Sequence, residues 1–198
     1  VTGGVIYFHY ISNLIFGRIY QAKIKIPFMV GDRMAQAVGS GQEIYKLPTM
    51  SEKEVDALLK SSRICRMAFN DRPQPYIIPL DFVYLNGKMY FHFAKYGKKV
   101  DLFNRDPHVG VEVDQYNDDI TEYQSVTLMG TLAEVKDPEE KKIASEALLS
   151  TIGSRGGERN VAARHGYDTL DKKTLSSSGS MVLRLDVIDY VALKSPGR

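Results

Sequence analysis

The tetrapeptide Leu85-Asn86-Gly87-Lys88 constrains this chain more than any other four residues. Asn-Gly readily takes the two positive φ angles that a tight two-residue hairpin turn demands. Apolar runs flank it, YIIPLDFVY before and MYFHFA after, so a β-hairpin is expected near the middle of the chain. Alternation along the second strand puts Tyr90, His92 and Ala94 on one face and Met89, Phe91 and Phe93 on the other. Pro79 interrupts the first strand. A proline there implies an edge or a bulge, where the backbone can face a ligand.

Consistent local signals begin at Thr49. Ser51 and Glu54 form a capping box, Met50 can staple against Val55, and Val55, Leu58 and Leu59 make the apolar stripe of a short helix. Arg63 to Phe69 reads as a strand, with Arg63, Cys65, Met67 and Phe69 on one face and Ile64, Arg66 and Ala68 on the other. NDRPQP is a turn. KYGKKVDLFNRDP is a loop opening a short helix that stops before Pro107. VGVEVD and QSVTLMGTLAEV are further strands. Asp137 caps a helix with Pro138 and Glu140 in its first turn, and Ile143, Ala144, Ala147 and Leu148 give it an apolar face. Residues 150–180 read as a charged loop, and MVLRLDVIDYVAL as a closing strand. Five or six strands with tight turns and only short helices predict a mainly β (α+β) small barrel rather than a sandwich or a Rossmann sheet.

Residues 1–46 do not share this order. They are rich in aromatic and β-branched residues without a clean period, and AQAVGSGQ reads as a flexible joint. Two domains follow: an extension over 1–46 and a barrel over 47–198. The extension is explained by a misassigned start, Met34 and Met50 being later candidates, or by an added strand or arm.

The 198 residues carry a formal net charge of +2, too little to argue for nucleic acid or a membrane surface. The stretch Val5–Phe16 contains His9, Ser12 and Asn13 and falls short of the ~20 residues that span a bilayer. One cysteine, Cys65, excludes an internal disulfide framework and is read as a buried small hydrophobe. The expectation is a soluble cytoplasmic protein.

For chemistry, the informative segment is Gly97-Lys98-Lys99. Backbone N–H groups at a helix start, beside two ammonium groups, suit a phosphate; a solvated basic turn has the same composition. His92, on its strand, serves either as a ligand contact or as a structural histidine. His108 is expected to face solvent, and His165 lies in the polar loop. No metal-ligand spacing links the histidines, and no structural metal is predicted. Asp114, Asp118, Asp119 and Glu122 lack a calcium-hand pattern and read as a solvated connection. GSRGGERN is in neither Walker nor dinucleotide format, and no nucleophile elbow or Ser-His-Asp arrangement appears, so no catalytic residue is named.

The order Pro75-Tyr-x-x-Pro-Leu80, Tyr90-Phe-His92, Gly97-x-Lys99, Val100-Asp101 and Asn104-x-x-Pro-x-Val109 resembles the FMN-binding split β-barrels related to pyridoxamine 5'-phosphate oxidase. It is most similar to their nitroimidazole-resistance reductase branch. Tyr123-Gln-Ser-Val126 before Gly130, and Asp137-Pro-Glu-Glu-Lys141, continue the match, which covers about residues 50–193. The resemblance implies a homodimer with FMN at the subunit interface. It implies that Ile77, Ile78, Pro79, Leu80 and Asp81, with the His92 strand, hold the flavin. Lys98 or Lys99, helped by Arg66, would hold the phosphate, and Gln124 and Ser125 would approach the ring system. The chain has no tryptophan, so Tyr123 is the candidate for the aromatic wall found in relatives. The substrate-binding C-terminal signature of true pyridoxamine phosphate oxidation is missing.

The function so implied is a flavin-dependent oxidoreductase acting between a small-molecule electron donor and a small acceptor such as a nitroaromatic. A non-catalytic flavin carrier and a haem- or deazaflavin-using relative are the alternatives, because one barrel hosts several ligands.

Overall fold

The hairpin at Asn86-Gly87 forms as its residues dictate, with φ of 50° and 79° at the two turn positions and Leu85 paired with Lys88. In the computed structural model, residues 46–153 and 179–196 are described. The order is α1 (Glu52–Ser61), β1 (Ile64–Phe69), β2 (Tyr76–Asp81), β3 (Val83–Leu85), β4 (Lys88–Ala94), α2 (Lys98–Arg105), β5 (His108–Tyr116), β6 (Tyr123–Glu134), α3 (Pro138–Gly153) and β7 (Ser180–Lys194). Of the extension expected over 1–46, only Lys46 lies within the described residues.

The strands form one antiparallel sheet in the order β2-β1-β5-β6-β7-β4-β3. Its two edges, β2 and β3, are consecutive pieces of a single extended run. That run pairs with β1 through residues 76–81 and with β4 through residues 83–85. The sheet therefore curls on itself, and the result is a split β-barrel with three short helices. The break in the run falls at Phe82, which is fully buried, its N–H donating to the Arg63 carbonyl at 3.1 Å. It does not fall at Pro79, which stays inside β2 opposite Arg66. Because β2 is an edge, the donor that proline lacks costs little there.

Alternation fills the barrel. Cys65, Met67 and Phe69 of β1, Met89, Phe91 and Phe93 of β4, and Val126, Leu128 and Leu132 of β6 enter one core with α1's Val55, Leu58 and Leu59. Both faces of β4 are buried, because α3 covers the second: Tyr90 joins Val83, Val135, Ala144, Leu148 and Val182 there. Glu140 of α3 clasps the sheet, accepting from Tyr90 Oη at 2.8 Å and Arg184 Nη1 at 3.0 Å. Ile143, expected on the buried face of α3, is exposed. The helix turns Ala144 and Leu148, four residues apart, toward the sheet, and position 143 falls about 100° away.

The capping predictions hold in detail. Ser51 and Glu54 make both reciprocal bonds of the box at α1, and the Asp137 side chain accepts from Glu140 N at 2.7 Å at α3. Cys65 is buried, and burial pushes its thiol up to about 12.

Candidate cofactor site

The loop KYG ends at Gly97, whose φ of 88° is a left-handed conformation that suits glycine. Gly97 is the N-cap of α2 and supplies no side-chain cap. Within the helix its carbonyl accepts from Val100 and Asp101. The amides of Lys98 and Lys99 have no intrahelical acceptor, as helix geometry requires. A Cβ placed on Gly97 would meet nothing within 4 Å, so the glycine is there for its positive φ and not for want of space.

The two lysines differ. Lys98 Nζ pairs with Asp71 Oδ2 at 2.7 Å and lies 4.8 Å from the Tyr76 ring centroid. Lys99 is half-buried, its ammonium 5.3 Å from the Phe93 ring centroid. Burial lowers its pKa, and it makes no ion pair among the described residues. A half-buried ammonium over a ring is held by a cation–π contact while burial disfavours its charge.

From this turn, β2 runs along the barrel. Ile77 and Pro79 point outward and are exposed, while Ile78 and Leu80 pack against the core and Asp81 is half-buried. Arg66 lies beside Pro79 and opposite Glu112. Its Nη1 donates to Asp114 Oδ1 at 2.6 Å and Glu112 Oε2 at 3.0 Å, so two carboxylates already take its charge. Three residues of strand, about 10 Å, separate Arg66 from the end of β1, and the Asp71 turn lies beyond. Arg66 and Lys98 thus answer to different carboxylates, those of β5 and Asp71. Arg66 also lies with Gln124 on a cleft of about 790 Å³, walled also by Tyr116, Tyr123 and Lys194. Ser125 is half-buried on the adjoining register row, opposite Asp114.

His92 is 3% exposed and sits opposite Val182. It belongs to the interior rather than to either surface. His108 is exposed as expected, its Nδ1 2.6 Å from Asp106 Oδ1. The acidic connection braces itself: Asp119 accepts from Thr121, and Asn117 Oδ1 accepts from Glu122 N. His165 and the GSRGGERN segment lie outside the described residues. Among the described residues no group of three or more His, Cys, Asp or Glu is placed to hold a metal.

Sequence reasoning missed Asp71, read only as part of a turn. Its carboxylate is shared between Lys98 and Arg105, and those contacts, chiefly the Lys98 hydrogen bond, hold its pKa low. It also missed Lys194 on the cleft, which pairs with Glu54 at 2.6 Å. No spacing rule signals either contact, since both join segments distant in sequence.

Comparison with known structures finds the same fold widely. A FAD-binding protein from Mesorhizobium loti is 21% identical, with 75% of this chain and 98% of that one covered at a TM-score of 0.53. A candidate 5-nitroimidazole antibiotic resistance protein from Bacteroides thetaiotaomicron is 15% identical over 79% and 96% of the two chains, at 0.54. A FAD- and haem-binding protein from Mycobacterium smegmatis is 17% identical over 74% and 72%, at 0.55. A comparison with curated protein sequences finds no match. The family profile described as pyridoxamine 5'-phosphate oxidase matches residues 51–186, within which β1–β6 and α2 all fall. The chain is a member of the pyridoxamine 5'-phosphate oxidase family of flavin-binding split barrels.

Proposed function

We propose that this chain binds FMN, with the phosphate at the start of α2, and works as a cytoplasmic oxidoreductase on a small acceptor such as a nitroaromatic. The observation that carries the reading is Lys99, a half-buried ammonium without an anionic partner among the described residues, at a helix start whose first two amides have no intrahelical acceptor. A phosphate monoester, roughly dianionic, matches one ammonium and two N–H donors. The family's flavin chemistry and the likeness to a candidate nitroimidazole resistance protein support the rest.

In this reading Lys99 and the amides of Lys98 and Lys99 bind the phosphate. The outer side of β2, with Ile77 and Pro79 exposed, lies under the flavin, and His92 tunes it from within the wall. Arg66, Gln124 and Ser125 border the ring-system end at the larger cleft. FMN, once bound, supplies the transfer of a hydride or electron pair; the chain orients and shields it. A second copy of the chain completes the site. No helix among the described residues is long and apolar enough to cross a membrane.

The test is an absorption spectrum of the purified protein, followed by identification of the released cofactor. Flavin bands near ~450 nm with FMN released are expected. A Soret band, a deazaflavin band, or stoichiometric FAD would overturn the assignment. Steady-state reduction with a nicotinamide donor then separates an enzyme from a flavin carrier.

A further inference from the structure

We propose that Asp71 is the positioning residue of the phosphate turn, holding α2 at the roll angle that aims Lys99 at the anion. The proposal rests on the FMN reading of that turn. Asp71 stands in the loop after β1 and touches no part of the amide end itself. One of its oxygens meets Lys98 Nζ at 2.7 Å, the other Arg105 Nη2 at 3.1 Å. Lys98 and Arg105 are the first and last residues of α2. Seven positions apart, they come back to one face of the helix after two turns. A single carboxylate thus grips both ends of the same face.

Other groups of the loop reinforce the grip. Arg105 Nη2 also donates to the Asn70 carbonyl at 3.0 Å, and Asn70 Nδ2 donates to Asp106 Oδ2 at 2.8 Å. Burial of Val100 and Leu102 keeps α2 on the barrel. Burial alone leaves a short helix free to roll by small angles; the charged clasp sets the angle. Lys99 then lies about 100° around from the clasped face, over Phe93. Asp71 has a second effect in the same direction, because it occupies Lys98. Of two adjacent lysines, only Lys99 is left for the phosphate.

The clasp is exposed, with Lys98 and Arg105 side chains 56% and 60% accessible. Exposed ion pairs contribute little to overall stability, so removing it should leave the barrel folded. Asp71→Asn and Arg105→Met are therefore compared with the parent as full-length proteins, by titration with FMN and with riboflavin. Both variants should raise the Kd for FMN about two- to fivefold and leave riboflavin affinity unchanged. Asp71→Glu should recover part of the loss. Amide hydrogen exchange over residues 98–105 should quicken in both, with the strands unaffected. Arg105 is held by Asp71 and the Asn70 carbonyl, so its replacement probes the clasp with Asp71 in place, and it serves alone should Asp71→Asn fail to fold. Unchanged FMN affinity would overturn the proposal. So would tighter FMN binding, which would mean that a freed Lys98 joins the site, or equal losses for both flavins, which would mean a general loosening. A parent that binds riboflavin as tightly as FMN would instead sink the phosphate reading and take the proposal with it; the exchange data would still report whether the clasp holds α2.

Discussion

Lys98 and Lys99 are identical in kind and adjacent in sequence, yet their surroundings give them different work. Lys98 reaches back to Asp71, while Lys99 crosses the Phe93 ring in a partly dry setting. An anion bound at Lys99 would face little screening and no competing carboxylate, and would raise a pKa that burial now lowers. Lys99→Ala should therefore weaken FMN binding by roughly 10- to 150-fold, the value of one charge-assisted hydrogen bond of about 1.5–3 kcal/mol. Riboflavin, which lacks the phosphate, should bind nearly as before. Lys98→Ala should cost less, since its ammonium is already engaged. Parallel flavin titrations of both variants check this, and a larger loss from Lys98→Ala would reverse the assignment. The motif match alone favours Lys99; the geometry supports the same choice for an independent reason.

At the scale of elements, α1 shows what was legible and what was not. Its capping box and apolar stripe were readable because each of those signals joins residues at most four apart. The hairpin at Asn86-Gly87, the Asp137 cap and the edge character of the Pro79 strand were readable for the same reason. The pairing of Glu54 with Lys194, 140 residues away, depends on which strand passes the helix, and no local pattern encodes that. The same holds for the Asp71 clasp and for Arg66, whose two carboxylate partners sit on β5. The Glu54 contact has a pH signature. Its hydrogen bond from Lys194, then those from Ser51, lower its pKa from an ordinary 4.5 to about 2. A depressed carboxylate stabilises the fold fully above its unfolded value, and the contribution fades as pH falls toward the folded value. The parent should thus exceed Glu54→Gln in Tm at pH 6, with the gap closing between about pH 4.5 and 2. A gap constant across that window would remove Glu54 as its source. Asp106, also lowered to about 2 chiefly by His108, loses its contribution in the same range in both proteins.

Over the whole molecule, the curl of the sheet decides which surfaces remain for other purposes. Met89, Phe91, Phe93, Leu128 and Leu132, which in the sequence could have served an interface between copies, are all spent in the core of one chain. The capping box at Ser51 marks where consistent local signals begin in the sequence, so a protein lacking residues 1–46 should still fold and bind FMN, as circular dichroism and a flavin titration would show. Loss of either would mean that the segment packs on the domain. What the curled sheet leaves bare is its outward face, with Ile77 58%, Ile188 64%, Val191 51% and Met129 36% exposed. Register puts Ile77, Ala68, Gly110 and Met129 on one row that ends on the exposed Asp189, with Val191 opposite Thr127 on the next row of the same face. Met129 and Ile188 also share a shallow apolar cleft of about 350 Å³ with Ala68 and Gly110. Exposed apolar residues in this number, with Asp189 and Thr127 among them and beside the proposed flavin strand, suit a self-complementary contact. The expected assembly is a twofold dimer burying more than ~2,000 Å² in total. Ile188→Glu and Val191→Glu each place a carboxylate in that contact, where it would lack a partner. Each should shift sedimentation from dimer toward monomer, keep the β-sheet circular dichroism of the parent, and lower flavin affinity by dismantling the second half of the site. Wild-type protein that sediments as a monomer at micromolar concentration while holding its flavin would show that one barrel suffices.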